Sequence, residues 1–508
     1  MQRGTHKNSN CGFFFLVTIM SITIFVIISM LMIIGFMFPL YAFVPFVFIT
    51  IYFLYSMRLK GDLPRTSTYL PFGIGNTLDL MNCGFNFGNF IKFLSKEKPD
   101  CSILEISILG TSFKVLQDPA LVHDILRNKN WDEPMDGILM DTVKKILGEK
   151  SLILIPHHVG KKTNPEWKRD KTTLLKMMSS RNISKEKEKI SHIVETVCRK
   201  RDGERNIDAK LLTNDITMDT FVKLFLRMEG DCQDFVDHFN YLNKIFIPFQ
   251  LKEIVKQIMV IGPLVAKLLP SDHFLQDKKV VLTKLCKRLD NIEDNDVIKN
   301  LKGESSTENL AARMYAMFFA GYDSTSTSMR WGLYYLYNHP EYQKQLAAII
   351  QEHYNPEDIS CIEQEPLKTA LNNLVNEITR IAPPTFMLVR RAKEDETLCE
   401  GISFTKGETV MLNVTGMHLN KKIWGENADC FVPDRWNDIN EIQQKAYMAF
   451  GRGYRTCAGQ QLARTEIILF FCILLSKYTF DVHDVDKIKN GTGILNNPSG
   501  MRITIKSI

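Results

Sequence analysis

From Cys11 through Met57 the chain contains no Asp, Glu, Lys, Arg or His. As helix, an uncharged run of 47 residues would extend roughly 70 Å, about twice the hydrocarbon thickness of a bilayer. It lacks the small-residue cleavage site that ends a secretory leader, so it is expected to stay on the protein as a membrane anchor. Two arrangements satisfy it. One is a single long helix followed by an apolar segment lying on the membrane. The other is a hairpin of two crossings, about 12–35 and 40–55, turned by Gly35, Pro39 and Pro45. In the hairpin, Arg3 and Lys7 on one flank and Arg58, Lys60 and Arg65 on the other share the cytosolic side; the expected location is a membrane, the endoplasmic reticulum, with the domain beyond residue 58 facing the cytosol.

Residues 1–10 read as a short tail, 11–57 as the anchor and 58–508 as one large domain, because no Gly/Ser run, Pro-rich spacer or repeat marks a linker beyond Arg58. With 45% hydrophobic and 24% charged residues overall, the chain can bury a large core. The net charge of +6 is spread along the sequence and argues against a nucleic-acid partner. The eleven cysteines are odd in number and carry no C-x-x-C pair, so they signal neither a disulfide framework nor a zinc site and fit a reducing compartment.

Two prolines and two glycines between Leu63 and Gly75 make a stiff hinge. Ser102–Leu116 alternates like a hairpin turning at Gly110-Thr111, and strand-like pieces return near Leu388–Arg391, Thr409–Val414 and Met501–Ile505. Elsewhere the helical period dominates, giving a mainly α fold with a minor β region. The longest helix is expected from Ser305, capped through Glu308, to about Tyr337 ahead of Pro340; at 45 to 50 Å or so it would traverse the domain. A second begins at Pro366 and ends near Ile381 before Pro383-Pro384, and a third runs from Ala458 to about Tyr478. The stretch Phe246–Leu269 is apolar beyond one helix face: either buried core or a loop dipping into the bilayer.

Phe450-Gly451-Arg452-Gly453-Tyr454-Arg455-Thr456-Cys457-Ala458-Gly459 matches the heme-binding signature F-x-x-G-x-R-x-C-x-G at all of its fixed positions. Chance produces such a match in roughly one chain in several thousand. A thiolate suits an axial iron ligand because it pushes electron density toward bound dioxygen. Cys457 sits at a predicted helix start, whose free N–H groups favour a thiolate. Gly453 and Gly459 permit a tight turn and close approach to a flat macrocycle, Arg455 is suited to a propionate, and Phe450 shields the sulfur.

The signature is that of the cytochrome P-450 family, and the chain resembles that family across its catalytic region. Glu377-Ile378-Thr379-Arg380 resembles the family's E-x-x-R, and Phe431-Val432-Pro433-Asp434-Arg435-Trp436 its F-x-P-x-R-W. The resemblance implies a buried structural network of Glu377, Arg380 and Arg435; alone, a Glu-x-x-Arg pair is usually a solvated i,i+3 pair. Ala320-Gly321-Tyr322-Asp323-Ser324-Thr325 resembles the oxygen-activation segment, with Asp323 relaying protons and Ser324 where Thr is usual. The competing reading is a polar turn in a helix rich in Ser and Thr. Trp167-Lys168-Arg169-Asp170-Lys171 resembles W-x-x-x-R with Lys171 replacing a propionate-binding arginine, and Arg390 stands where the family places another. His157-His158 lacks a third ligand and is expected not to bind metal.

By this resemblance the chain holds an iron protoporphyrin heme on Cys457. It would insert one atom of dioxygen into an organic, apolar or aromatic substrate, with electrons from an NADPH-dependent reductase or similar donor. Lys161, Lys162, Lys168, Arg169, Lys171 and Arg452 would supply a basic face for that donor. The strip from Arg435-Trp436 through Ile442, with the hinge prolines, resembles fungal members that oxidise N-formyltyrosine toward dityrosine for spore walls. The rival functions are a heme-thiolate hydroperoxide-rearranging enzyme and a membrane heme-binding or transport protein without turnover.

Overall fold

The computed structural model describes residues 64–66, 75–83, 86–108, 111–134, 138–148, 151–159, 162–225, 237, 241, 274–290, 306–398, 401–491 and 495–508. The uncharged run 11–57, most of the hinge, Gly110, Lys161, Phe246–Leu269 and Ser305 lie outside them. Among the described residues no helix is long and apolar enough to cross a membrane. Contacts divide the chain into a small unit, Met1–Asp62 with Thr68–Thr77 and Ser107–Ser112, and a large one that holds the rest. In the small unit the Asn76 N–H donates to the Ser107 carbonyl at 2.6 Å.

The large unit is mainly helical. Its principal helices are α1 (Pro119–Arg127), α2 (Ile138–Leu147), α3 (Pro165–Met177), α4 (Ser180–Lys200), α5 (Ala209–Phe225), α6 (Phe274–Asp290), α7 (Thr307–Asn338), α8 (Pro340–His353), α9 (Leu367–Ile381) and α10 (Gln460–Lys477). The strands are β1 (Ile103–Ile108), β2 (Thr111–Leu116), β3 (Trp131–Asp132), β4 (Met387–Ala392), β5 (Thr409–Asn413), β6 (Tyr478–His483) and β7 (Arg502–Ser507). The larger sheet runs β1-β2-β5-β4-β3. Its β5 is parallel to β2 and antiparallel to β4, with Val410 opposite Arg390. Strands β6 and β7 pair antiparallel, and the short strand Ile207–Asp208 adds to β7.

Helix ends differ from the sequence expectation by a residue or two, for local reasons. The cap of α7 is Ser306, whose hydroxyl accepts from the Asn309 N–H at 3.4 Å. Pro366 is the residue before α9 rather than its first turn, and α10 begins at Gln460 rather than Ala458 because Gly459 occupies the cap. Asn164 caps α3 by accepting from the Glu166 N–H at 3.0 Å, with Pro165 in the first turn.

Helix α7, 32 residues and so about 48 Å long, is the axis of the unit and packs against α5, α6, α9 and α10. From Ile467 to Leu475 helix α10 is apolar on every side, and most of it is buried, including Ile467, Leu469, Phe470, Phe471, Ile473 and Leu474, as expected of a helix enclosed by others. The closest approach is at Gly332 of α7: a β-carbon there would collide with the Phe471 ring and lie 2.8 Å from Ile378 Cδ1. Three helices therefore meet where only hydrogen fits. We predict that Gly332→Ala destabilises the folded protein by about 1–3 kcal/mol through overpacking, although alanine favours helix by about 1 kcal/mol. Thermal or denaturant unfolding checks the sign, and a gain in stability contradicts this packing.

Candidate active site

Cys457 is presented by the loop that leads into α10. Its N–H donates to the Phe450 carbonyl at 2.9 Å, closing the loop, while the Thr456 hydroxyl donates to the Gly453 carbonyl at 2.8 Å. Gly453 has φ +69°, and a β-carbon there would overlap the Leu126 carbonyl oxygen, so no other residue fits. Gly459, at φ −87°, has ordinary backbone, and its missing β-carbon would meet only Met178 Sδ at 3.6 Å. Cys457 is exposed, and the space it faces is internal: it lines one cavity of about 260 Å³ and a larger one of about 590 Å³.

Across the smaller cavity stands α7. Ala320, Gly321, Ser324 and Thr325 line it together with Cys457, and a β-carbon on Gly321 would meet nothing within 4 Å. Asp323 opens onto the larger cavity, which Ser324 and Thr325 also line. The Ser324 hydroxyl donates back to the Ala320 carbonyl at 2.8 Å, and Asp323 pairs with Arg330 at 3.3 Å. The segment Ala320–Thr325 and the cysteine loop, more than a hundred residues apart in sequence, thus face the same space.

Burial pushes the Cys457 thiol above its usual range, while a backbone bond from Gly459 and the Lys171 ammonium pull the other way without prevailing. Helix α10 begins at Gln460, three residues after Cys457, so the sulfur lies just ahead of its first turn. Lys171 reaches in from α3 to donate to the Thr456 carbonyl, and burial lowers its own pKa despite the Cys457 sulfur nearby. Trp167, one turn earlier, lines the cavity with a buried indole N–H that has no acceptor among the described residues. Arg313 of α7 fixes α3 in place through Glu166 at 3.0 Å and Asp170 at 3.2 Å.

Arg455 and Arg390 both line the larger cavity, but their guanidiniums already have protein partners. Arg455 donates to Asp132 at 3.0 Å and to the carbonyls of Leu152 and Ile155 at 3.0 and 2.7 Å. Burial opposes the Asp132 carboxylate, yet the His157 hydrogen bond and the Arg455 charge hold its carboxyl far below the usual range. His157 approaches Asp132 at 2.7 Å and stacks on Tyr454 at 4.9 Å, and His158 packs edge-on against the His157 ring at 4.4 Å. Among the described residues no cluster of three or more His, Cys, Asp and Glu side chains is arranged to hold a metal ion. Arg390 donates to the Val389 carbonyl at 2.7 Å and more distantly to Glu133 at 3.5 Å. Of the basic face, Lys162, Lys168 and Arg169 are exposed, whereas Lys171 turns inward and Arg452 folds back on the Gln444 carbonyl.

Glu377, Arg380 and Arg435 form one cluster. The Glu377 carboxylate receives two bonds from Arg380 at 2.8 Å, one from Arg435 at 3.0 Å, the Trp436 indole at 2.9 Å and the Val432 N–H at 2.8 Å. Arg380 also donates to the carbonyls of His418 at 2.7 Å and Ala428 at 2.6 Å. His418, which nothing in the sequence singled out, bonds the Arg380 carbonyl through Nδ1 at 2.9 Å and accepts from the Met448 N–H through Nε2 at 2.8 Å. That fixes the neutral tautomer, and burial together with Arg380 pushes its pKa down to about 3.

The family profile described as Cytochrome P-450 matches residues 72–505. The chain belongs to the cytochrome P-450 family, whose cofactor is a heme with its iron held by a cysteine thiolate. It is 31% identical over 199 residues to human cytochrome P-450 2J2, covering 39% of each chain. It is 30% identical over 186 residues to an Arabidopsis thaliana cytokinin hydroxylase, covering 36% of each. It is 28% identical over 198 residues to the steroid 17-alpha-hydroxylase/17,20 lyase of Capra hircus, covering 38% of each. The matched stretches thus span about two fifths of these relatives' length. The residues present fit a heme. An accessible sulfur faces the cavities, Gly321 leaves open space, and the unpaired Trp167 indole and the Lys171 ammonium supply donors suited to propionates.

His418 gives a pH prediction. Unfolded, it binds a proton near pH 6.5, and folded only near 3, so the unfolded state binds more protons between these values and stability falls as pH falls through that window. His418→Gln should cost on the order of a few kcal/mol at pH 7. The gap from wild type should narrow as pH drops toward 4, read from unfolding midpoints of the heme-loaded proteins. A gap independent of pH contradicts a neutral, bridging His418.

Proposed function

We propose that this chain is a heme-dependent monooxygenase in which Cys457 is the axial ligand, acting on an apolar or aromatic organic substrate with electrons from an NADPH-dependent reductase. The observation that carries this reading is the convergence of Cys457 with Ala320, Gly321 and Ser324 on one cavity. When bound, the heme supplies the redox chemistry, with the thiolate favouring O–O cleavage. One oxygen atom enters the substrate and the other leaves as water, so each turnover takes up two electrons and two protons. The protein's part is to hold, orient and deliver. Trp167 and Lys171 would hold the propionates, with Arg390 and Arg455 bracing the same wall. Gly321 leaves room beside the reacting atoms, and Ser324 Oγ, its proton directed to the Ala320 carbonyl, presents a lone pair to the cavity. Asp323, the residue before it, lines the larger cavity and would supply the proton.

Val143, Leu147, Phe319, Leu388 and Leu495 on the larger cavity's wall support an apolar or aromatic substrate. The likeness to dityrosine-forming enzymes makes N-formyltyrosine the first compound to try. The relatives' names support oxidation of small organic molecules. We further propose that residues 11–57 anchor the protein in the endoplasmic reticulum membrane with the domain in the cytosol; the uncharged run followed by Arg58, Lys60 and Arg65 supports this. Asp323 and Ser324 together favour monooxygenation over hydroperoxide rearrangement, which needs no proton delivery to dioxygen.

Cys457→Ala should lose the red-shifted Soret band of the ferrous carbon monoxide complex; a variant that keeps it has another cysteine as ligand. Asp323→Asn should slow turnover about a hundredfold or more, and Ser324→Ala should divert reducing equivalents to hydrogen peroxide, both with normal spectra. Dioxygen consumed and peroxide released per NADPH measure these effects. Unchanged coupling in both variants would favour the rearranging enzyme.

A further inference from the structure

Arg330 lies seven residues beyond Asp323 on α7 and is fully buried. Its Nη1 donates to Thr213 Oγ1 at 3.0 Å, Asn214 Oδ1 at 3.2 Å and Ser326 Oγ at 3.2 Å. Its Nη2 donates to Thr327 Oγ1 at 2.9 Å, Asn497 Oδ1 at 3.0 Å and Asp323 Oδ1 at 3.3 Å. Among the described residues Asp323 is the only carboxylate within ion-pair reach of this guanidinium. A buried cation without a countercharge costs several kcal/mol, so the protein draws Asp323 toward Arg330. The five other acceptors are neutral, and the carboxylate contact is the longest of the six. The neutral acceptors keep the guanidinium hydrogen-bonded when the carboxylate swings toward the cavity, so its departure leaves the cation only partly uncompensated.

The same guanidinium touches the wall of the larger cavity. Asn497 and Leu495 line that cavity, and the neighbouring Trp331 indole donates to the Asn496 carbonyl at 2.6 Å. On its other side the cluster is held by α5: Asn214 Nδ2 donates to the Tyr322 hydroxyl at 2.5 Å and Thr217 Oγ1 to the Tyr322 carbonyl at 3.1 Å. The backbone next to Asp323 is therefore fixed, and among the described residues its side chain has one charged partner. The cavity also reaches Ser328 and the half-buried Lys210 at the start of α5, a polar wall extending away from Cys457.

We propose that Arg330 is a positioning residue for Asp323, which it holds aside and releases toward the cavity, and that through Asn497 it couples this choice to the wall the substrate touches. The inference rests on the reading of Asp323 as the proton-delivering acid. A substrate that displaces Leu495 or Asn497 shifts the guanidinium and frees the carboxylate, so proton delivery rises when the cavity is filled. No bond is made or broken at Arg330; it acts through the orientation of a neighbouring charge.

The test uses the full-length heme protein, reduced, with carbon monoxide as the probe, because the carbon monoxide infrared band senses nearby charge without needing a substrate. Arg330→Gln should shift or split the wild-type band, and Arg330→Lys should restore most of it. Asn497→Asp, nearly isosteric, gives the guanidinium a second carboxylate and should move the band in the same sense even where Arg330→Gln folds poorly. In NADPH oxidation without substrate, Arg330→Gln should change the ratio of peroxide released to dioxygen consumed by about tenfold. It should change that ratio by less than about twofold when Asp323→Asn is already present, because coupled residues are not additive. If Asp323→Asn itself alters neither band nor ratio, the assignment of Asp323 fails and this proposal with it. If Asp323→Asn alters them while folded Arg330→Gln and Asn497→Asp match wild type, only the positioning role is overturned. An equal effect of Arg330→Gln with and without Asp323 also overturns it, as a merely structural arginine would behave.

Discussion

A carboxylate shut off from water, that of Glu377, organises the half of the molecule that carries Cys457. Alone its charge would be untenable in the interior, and the protein surrounds it with two guanidiniums, an indole N–H and a backbone N–H. Each partner brings its own segment. Arg435 and Trp436 tie down residues 432–436, and Arg380 collects the carbonyls of His418, Ala428 and Cys430. His418 passes the constraint to Met448, two residues before the loop that presents the cysteine. A buried network of this kind contributes little net stability compared with a well-packed apolar core. Its effect is to remove freedom from a loop that would otherwise choose among several turns.

The cysteine loop is constrained from its other side by Asp132, which joins β3 to Arg455, His157 and Lys393. Two sets of buried charges thus grip one short loop, through Met448 before it and Arg455 within it. Two residues beyond the second grip, the sulfur faces the cavities. Desolvation there disfavours an anion on the free thiol, while the Gly459 backbone bond and the Lys171 ammonium favour it.

Much of this was legible in the sequence because it depends on local spacing. Phe450 to Gly459 read as a tight loop before a helix, and Gly453 is required there by both its φ of +69° and the Leu126 carbonyl. Glu377 and Arg380 lie one helical turn apart, so their pairing needed only the helix. His418 was not legible, since 38 residues separate it from Arg380 and only the packing of α9 brings them together. Nothing in the sequence singled out Arg330; its burial comes from α5, through Thr213 and Asn214, and no pattern along α7 announces it. Arg455 shows a third limit: spacing placed it beside the cavity, but Asp132, 323 residues away, decides where its guanidinium points. The anchor, read from an absence of charge, lies outside the described residues.

Helix α7 uses glycine in two opposite senses. At Gly332 the missing side chain lets Phe471 and Ile378 press against the backbone, and at Gly321 it leaves open space. The two lie 11 residues apart, roughly 16 Å along the axis. A long rigid helix pinned at one crossing behaves as a lever with its fulcrum there: a tilt of about 4° at Gly332 displaces Gly321 by about 1 Å. Misplacement on that scale can cost an enzyme about a hundredfold. The clearance beside Gly321 is therefore gauged by a hydrogen atom on the far side of the domain's core, out of reach of anything that enters the cavity.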